Sequence, residues 1–281
     1  MMSLLPTYFN TRLGLAIGIA SSGSSLGGVI YPIVLRSLVK NIGFPWAVRV
    51  IGFMALATLI IPCIVMKERV KPAVRKSRPM IDYSAFTDAP YMTFVAATMI
   101  GFVALTVPLF YISYFALEQR ITDENLAFYI VPIYNAASIF GRILPNFLSD
   151  KIGPINVITP CAFITGILLF LLIVIDAEEV GAFVVLSMLL GFFSGVFVAI
   201  PGTCFPRLTK DKSMLGTRVG MCFFMCAFAL LLGGPAAGAI LDPYSNFQGV
   251  WCYGGTAAIV SGFLYIVVRY MLTGPTLKAK A

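Results

Sequence analysis

Residues 134–153 read YNAASIFGRILPNFLSDKIG, an apolar run that ends in a charged turn. Arg142 lies in its middle, and no other charged residue falls within seven positions on either side. The whole chain is similarly poor in charge, since 59% of its 281 residues are hydrophobic and 11% are charged. A soluble globular protein carries about 25% charged residues. The composition, with a mean hydropathy of +0.93, therefore excludes a soluble protein.

Eight apolar segments of roughly 20 or more residues account for this composition. A helix of that length crosses the ~30 Å hydrocarbon core of a bilayer at about 1.5 Å per residue. Backbone groups in lipid must be paired internally, and the alternation of a membrane β-strand is absent, which leaves helices. The predicted fold class is an all-α membrane protein with spans at residues 13–38, 46–66, 91–117, 127–148, 155–175, 180–206, 216–241 and 250–272.

The 20 Lys and Arg residues are distributed unevenly between the two sides of the membrane. Eight spans place both termini on one side, and most of the basic residues fall on that side. The positive-inside rule then predicts cytoplasmic termini and a cytoplasmic loop at residues 67–90. Topology explains the +8 net charge, so the expected partner is the lipid bilayer and not nucleic acid. The sequence leaves open whether this is the plasma membrane or an organelle membrane.

The loop at residues 67–90 is the one long connection, and it divides the chain into two spans before it and six after it. We interpret residues 1–66 as the last two helices of an incomplete N-terminal bundle. Residues 67–90 form a basic cytoplasmic linker, and residues 91–281 a C-terminal six-helix bundle. Many transporters pair two six-helix bundles. The chain therefore looks like helices 5–12 of a twelve-span protein that lacks its first four helices.

Small residues at helical spacing predict close packing of the first span against a neighbour. Gly14 and Gly18 lie four residues apart, as do Gly23 and Gly27. Such pairs let two helix backbones approach closely. The four glycines are therefore predicted to be helix-packing positions.

A polar stripe runs along the fourth span, because Asn135, Ser138, Arg142 and Asn146 recur at i, i+3, i+7 and i+11 on one helix face. Arg142 lies too deep for its side chain to reach the membrane surface completely. One hypothesis is that it faces an aqueous cavity and binds an anion, since its fork geometry suits a carboxylate. The other is a structural arginine that donates to backbone carbonyls. The predicted substrate-binding residues are Arg142, Ser138, Asn135 and Tyr134.

The turn at residues 148–153, LSDKIG, joins the fourth and fifth spans. Asp150 is predicted either to accept hydrogen bonds from the amino end of the next helix or to pair with a cytoplasmic arginine. Either contact would hold one side of the protein closed, so Asp150, Lys151 and Gly153 are candidates for a cytoplasmic gate. A tight turn with a lysine that sets topology is the alternative.

Residues 141–153 resemble the motif between helices 8 and 9 of the major facilitator superfamily, with Asn146 where that motif begins with glycine. Residues 8–23, YFNTRLGLAIGIASSG, resemble the signature that leads into helix 5 of monocarboxylate transporters. They depart from it at Thr11 and Leu13, where that family has basic residues. The resemblance covers the whole chain and looks most like the fungal branch of the monocarboxylate transporters.

This resemblance implies a secondary transporter, a symporter in most of the family, that moves a small organic, monocarboxylate-like anion by alternating access. It implies that Arg142 takes the substrate carboxylate. Ser138 stands where the family has an acidic residue, so the familiar proton-coupling pair is not present in that form. Whether a proton accompanies the anion is left open.

A truncated, non-transporting remnant or a regulatory membrane protein is the alternative, because rocking needs two bundles and one of them would have only two helices. An enzyme is not expected. The chain has no histidine, and every Asp and Glu falls in a predicted loop or at a span end, so neither a nucleophile–base pair nor a metal cluster can be assembled in the membrane. We expect no metal and no cofactor, and the oligomeric state is open.

Overall fold

A computed structural model of the protein describes residues 4–9, 11–66, 79–176, 178–209, 211–241 and 246–275. These residues contain no strand, and eight of their helices are long and apolar enough to cross a membrane. The prediction of eight spans in an all-α membrane protein is thus confirmed. The helices are α1 (Leu13–Ile42), α2 (Phe44–Val65), α3 (Ala89–Glu118), α4 (Glu124–Ile152), α5 (Pro154–Leu171), α6 (Val180–Leu208), α7 (Leu215–Leu241) and α8 (Phe247–Thr273).

Several helices extend beyond the predicted spans, because they continue past the apolar region into polar sequence. α1 runs to Ile42, and α4 runs to Ile152 through residues that the sequence assigned to a turn. Gly43 and Gly153 end these two helices with φ of +78° and +101°. Only glycine adopts this backbone region without strain, so the chain can reverse there within a single residue.

α6 is interrupted twice, and its helical segments are Val180–Ser194, Val196–Ala199 and Pro201–Leu208. Pro201 has no backbone N–H to donate, so the helix ladder loses a bond at that point. Gly195 provides the other interruption, and it lies against Ser138 of α4. The break therefore lies beside the polar stripe predicted from the sequence.

Helices α3–α8 share two buried clusters of apolar side chains, and every member of both clusters lies at residue 85 or later. One cluster includes Phe94 and Phe205, whose rings meet edge to face at 5.5 Å. The other includes Phe115 and Trp251, which meet edge to face at 5.2 Å. Aromatic pairs favour this arrangement. The clusters make α3–α8 one packed unit.

α1 and α2 lie outside that unit. α1 packs antiparallel along α4 and is the main neighbour of α2. In α2 only Ala47 is buried among the described residues. α1 is therefore the element that joins α2 to the rest of the described structure.

One face of α1 carries small residues at Gly14, Gly18, Ser21, Ser25 and Gly28, spaced at i, i+4, i+7, i+11 and i+14, and this face lies on α4. A Cβ on Gly18 would come within 2.6 Å of the Arg142 carbonyl oxygen, and one on Gly28 within 2.6 Å of the Asn135 amide. These close approaches need residues without side chains.

Gly23 and Gly27, which the sequence also predicts to be helix-packing positions, do not lie against another helix among the described residues. A Cβ on Gly23 would meet no described atom within 4 Å, and one on Gly27 would meet only Tyr31 of its own helix. Both residues lie on faces of α1 that α4 does not cover. The sequence analysis assigned the packing face of α1 to glycines alone, whereas the face that lies on α4 contains both glycine and serine.

The predicted basic linker is described only in part, since its residues 67–78 lie outside the described residues. Its final section forms a short 3-10 helix, Tyr83–Thr87, that leads into α3. Asp82 caps this turn by accepting a hydrogen bond from the Ser84 backbone N–H. The section is thus ordered against the start of α3.

Candidate functional site

α4 lies between α1 and α6, and glycines bring the backbones of α4 and α6 into contact. A Cβ on Gly141 would overlap the carbonyl group of Phe192, and one on Gly191 would overlap the carbonyl group of Tyr134. Substitution at either position would force the two helices apart. The polar stripe of α4 is therefore enclosed on two sides.

Arg142 is buried at the contact between α4 and α1, with 7% of its surface exposed. Its Nη1 donates to the Ser21 carbonyl oxygen at 2.7 Å and to the Ser24 hydroxyl. Its Nε is buried and has no hydrogen-bond partner among the described residues. The guanidinium is thus held by α1 while one of its donors stays unmatched.

Arg142 is held by neutral groups in the part of the chain that the structure describes. No acidic side chain among the described residues pairs with it, and both of its hydrogen-bond partners are neutral. An uncompensated arginine in the membrane interior costs at least ~2.5 kcal/mol. A carboxylate bound at this position would supply the missing charge and two oxygen acceptors. The geometry therefore suits an anion.

Hydroxyl groups continue the site along α4 away from Arg142. The Ser25 hydroxyl donates to the Ser138 hydroxyl at 3.3 Å, and the Tyr134 and Ser194 hydroxyls share a hydrogen bond. All four side chains are buried. They can hydrogen-bond polar groups of a solute once their mutual bonds open.

Three of the four predicted substrate residues are brought together in this way, namely Tyr134, Ser138 and Arg142. Asn135 differs, because it is half-buried and its Nδ2 donates back to the Val131 carbonyl of its own helix. The sequence analysis missed the partners of the three buried residues. Those partners are Ser21, Ser24, Ser25 and Ser194.

Asn146, the last member of the predicted stripe, is fully buried beside Gly18. Its Nδ2 donates to the Arg142 carbonyl oxygen at 2.7 Å. Its Oδ1 is buried and has no partner among the described residues. Asn146 and Arg142 therefore each keep one unused polar atom at the α1–α4 contact.

Asp150 closes the α1–α4 contact at the predicted cytoplasmic end. Its two carboxylate oxygens accept hydrogen bonds from the backbone N–H groups of Gly14 at 2.7 Å and Leu15 at 3.1 Å. Free N–H groups at a helix amino end carry partial positive charge, so a carboxylate is stabilising there.

The sequence prediction named the wrong partner for Asp150, since it expected the amino end of the next helix, α5, or an arginine. α1 takes that place because it runs antiparallel to α4 and begins where α4 ends. The other two gate candidates do not reach α1. Lys151 is exposed, with its Nζ 4.8 Å from the centre of the Phe147 ring, and Gly153 provides the turn into α5.

A separate contact joins α1 and α4 at the opposite end. Arg36 Nη2 donates to Asn125 Oδ1 at 2.8 Å, and the guanidinium carbon lies 4.3 Å from the centre of the Phe128 ring. Cation–π contacts of this kind are worth ~0.5–1 kcal/mol at exposed sites. From Gly14 to Arg36 the contact extends about 33 Å along the helix axis, roughly the thickness of the hydrocarbon core.

A second charged cluster lies at the predicted cytoplasmic end, where Arg218 of α7 pairs with Asp82 and Asp88 at 2.8 Å each. Its Nη1 also donates to the Leu208 carbonyl oxygen at the end of α6. The hydrogen bonds from Ser84 and Arg218 lower the pKa of the Asp82 carboxyl below its ordinary value. This arginine has carboxylate partners, which distinguishes it from Arg142.

The family model of the Major Facilitator Superfamily matches residues 1–177, more than half of the chain. The chain belongs to the Major Facilitator Superfamily. As a member of it, the protein is an integral, multi-pass membrane protein, as the sequence predicted. The resemblance to this superfamily is thereby confirmed, whereas the monocarboxylate-transporter branch and the four missing helices stay predictions.

Fungal transporters of the superfamily are similar to this chain over nearly its whole length. An MFS-type transporter of Emericella nidulans, dbaD, is 52% identical over 268 residues, which cover 95% of this chain and 60% of that protein. The aspyridones efflux protein apdF of the same species is 32% identical over 264 residues, which cover 94% of this chain and 53% of that protein. The agnestins efflux protein AgnL12 of Paecilomyces divaricatus is 34% identical over 280 residues, which cover 99% of this chain and 63% of that protein. The chain thus spans about 60% of the length of these relatives.

These relatives are named as transporters and not as enzymes. Two of the names specify efflux, and none specifies a monocarboxylate or a symporter. Within the described residues, no three His, Cys, Asp or Glu side chains lie close enough together to hold a metal ion.

Proposed function

We propose that this member of the Major Facilitator Superfamily moves a small organic, monocarboxylate-like anion across a membrane by alternating access. The observation that carries the proposal is Arg142. Its guanidinium is buried in the middle of a span, has only neutral partners and keeps one unmatched donor. A charged arginine that has no carboxylate partner among the described residues is suited to bind an anionic solute.

We further propose that the direction is export and that the solute is an acidic metabolite. Relatives of this chain are named as efflux proteins for aspyridones and for agnestins. These names support export over uptake. The hydroxyls of Tyr134, Ser138 and Ser194 would bind polar substituents of such a solute beside its anionic group.

Alternating access requires two bundles, and the packing supports the division predicted from the sequence. Residues 1–66 would contribute α1 and α2 to one bundle, and residues 91–281 would form the other. The two buried clusters lie entirely in the second unit. The α1–α4 contact would then be an interface between bundles, and separation along it would open a path to the site.

The contacts at the two ends of this interface are weak enough to alternate. Asp150 acts as a helix cap for α1, and such caps are worth ~0.5–2 kcal/mol. Arg36 contributes a hydrogen bond and a cation–π contact of similar size. The polar contacts at one end are worth a few kcal/mol, an amount that differential binding of a solute can supply.

The experiment is transport of labelled monocarboxylates by cells that lack endogenous transporters. It compares this chain and a form extended upstream to the length of its relatives, each with and without Arg142→Ala. Arg49→Ala is the control, because Arg49 is exposed and stacks on Trp46 of its own helix. We expect Arg142→Ala to reduce transport at least tenfold in whichever form is active and Arg49→Ala to leave it unchanged.

Two results would count against this proposal. Transport that survives Arg142→Ala would refute the anion site. Transport by neither form would favour the alternative that this chain is a non-transporting or regulatory membrane protein.

A further inference from the structure

The oxygens that α1 offers to Arg142 form a small acceptor pair. The Ser24 hydroxyl donates to the Ser21 carbonyl oxygen, so these two oxygens lie 3.1 Å apart. Nη1 of Arg142 donates to both of them. Both oxygens accept from a single guanidinium nitrogen, so an anion that used this nitrogen would have to displace one or both of them.

We propose that Ser21 and Ser24 occupy the position of the transported anion on Arg142, so that the anion must displace α1 to bind. This inference rests on the proposed function, since it needs an anion at Arg142. It assigns Ser24 as a positioning residue, because its hydroxyl acts on the solute only through the arginine. The displacement links occupancy of the site to release of α1 from α4.

The balance of the exchange favours the anion. The hydroxyl and the carbonyl are neutral acceptors, whereas a carboxylate makes charge-assisted hydrogen bonds that are about twice as strong. A carboxylate can also engage two nitrogens of the fork, and Nε is unmatched in this conformation. The neutral pair therefore satisfies Nη1 in the empty protein, and an anion can replace it there.

The exchange also has a consequence for the α1–α4 interface. Arg142 provides the contact midway between Asp150 at one end and Arg36 at the other. When the anion takes over the guanidinium, α1 keeps its end contacts, the Ser25–Ser138 bond and its glycine packing on α4, but loses its contact with a charged side chain midway along the interface. Either end can then open at lower cost, so the solute promotes the movement that carries it.

The test is equilibrium binding of radiolabelled benzoate, a monocarboxylate with an apolar ring, to the full chain in lipid nanodiscs. The variants are Ser24→Ala, Ser24→Thr and Arg142→Ala. The matched control is Ser22→Ala, because the Ser22 hydroxyl donates to the Ile19 carbonyl in the same way but does not contact Arg142. Thermal unfolding with and without benzoate provides a second measurement.

We expect Ser24→Ala to bind benzoate about three- to tenfold more tightly than the unmodified protein, because one competing hydrogen bond to a charged group is gone. Its benzoate-induced increase in unfolding temperature should also be larger. Ser24→Thr keeps the hydroxyl and should behave like the unmodified protein, as should Ser22→Ala. A merely structural defect would weaken binding and would not strengthen it.

The outcomes separate this inference from the proposed function. Binding that depends on Arg142 but is unchanged or weakened in Ser24→Ala overturns the inference and leaves the anion site intact. Benzoate binding that is absent, or that is equal in the unmodified protein and Arg142→Ala, overturns the anion site and the inference with it.

Discussion

Asp150 shows how a single side chain can hold two helices together at the edge of the membrane. Its two oxygens accept from Gly14 and Leu15, the second and third residues of α1, whose N–H groups precede the helix ladder. The close fit depends on Gly14, because a Cβ there would come within 2.8 Å of the Asp150 carboxylate. One acidic residue and one glycine therefore define the predicted cytoplasmic closure.

Replacement of Asp150 by alanine should lower the free energy of unfolding by about 0.5–2 kcal/mol, because two backbone N–H groups lose their acceptor. The measurement is thermal unfolding of the purified protein in detergent. Lys151→Ala is the matched control, since Lys151 is exposed and does not contact α1. A loss of stability as large in Lys151→Ala as in Asp150→Ala would show that Asp150 does not cap α1.

The Arg218 cluster gives a prediction about pH. The pKa of Asp82 is lowered by its hydrogen bonds from Ser84 and Arg218, so the ionised form is favoured in the folded state. This stabilisation is fully present above the unfolded-state pKa of about 3.9 and is lost as the pH falls through the lower folded-state value. Asp82→Asn should therefore unfold at a lower temperature than the unmodified protein at pH 7, and the difference should shrink towards pH 3.

The control for this measurement is Glu118→Gln, because Glu118 is an exposed carboxylate at the end of α3. Its unfolding temperature should follow that of the unmodified protein at every pH. A difference between Asp82→Asn and the unmodified protein that stays constant down to pH 3 would contradict the assignment.

For each key contact, the sequence predicts the charged residue but not the residues that it contacts. Arg142 and Asp150 stand out because a charge in an apolar segment must have a reason. Their partners do not stand out. Ser21 and Ser24 lie in the run ASSGSS at residues 20–25, more than 100 positions from Arg142. The side of α1 that faces α4 depends on packing that a linear pattern does not contain.

At the level of helices, the contact between α1 and α4 depends on which small residues face the partner. The sequence carries two interleaved small-residue patterns on α1, and both have the spacing that favours close packing. Gly18 belongs to the pattern on α4, whereas Gly23 lies on an uncovered face. Composition alone cannot separate them, and the structure does so through the position of α4.

Gly18→Ala should destabilise the protein by about 1–3 kcal/mol, because the new Cβ would lie 2.6 Å from the Arg142 carbonyl oxygen and 3.0 Å from the Asn146 Cβ. Gly23→Ala is the matched control, since its Cβ meets open space and alanine favours the helix. Thermal unfolding of the two variants decides between these expectations. Equal destabilisation by both substitutions would contradict the assigned face.

The number and class of the helices could be predicted because the length of an apolar segment is set by the bilayer. Their ends could not be predicted as well. α4 continues through Ser149, Asp150 and Lys151 before Gly153 ends it. Polar residues at a membrane surface fit a helix as well as a loop, so hydropathy does not mark the point where the helix stops.

Across the whole molecule, charge is used in two different ways. Arg218 forms ion pairs with two aspartates at the predicted cytoplasmic end, and these contacts tie the section before α3 to α6 and α7. Arg142 lies deeper, and no acidic side chain in the described part of the chain pairs with it. The first arrangement stabilises the fold, and in our account the second is available to a solute.

The account therefore rests on one claim, that the Arg142 guanidinium binds an anionic group. The most direct test is binding of radiolabelled benzoate, and of uncharged benzamide of similar shape, to the purified protein and to Arg142→Gln. We predict that the unmodified protein prefers benzoate and that Arg142→Gln loses at least tenfold of that affinity, a difference of about 1.4 kcal/mol. Equal binding of benzoate and benzamide, or benzoate binding that Arg142→Gln leaves unchanged, would contradict the account.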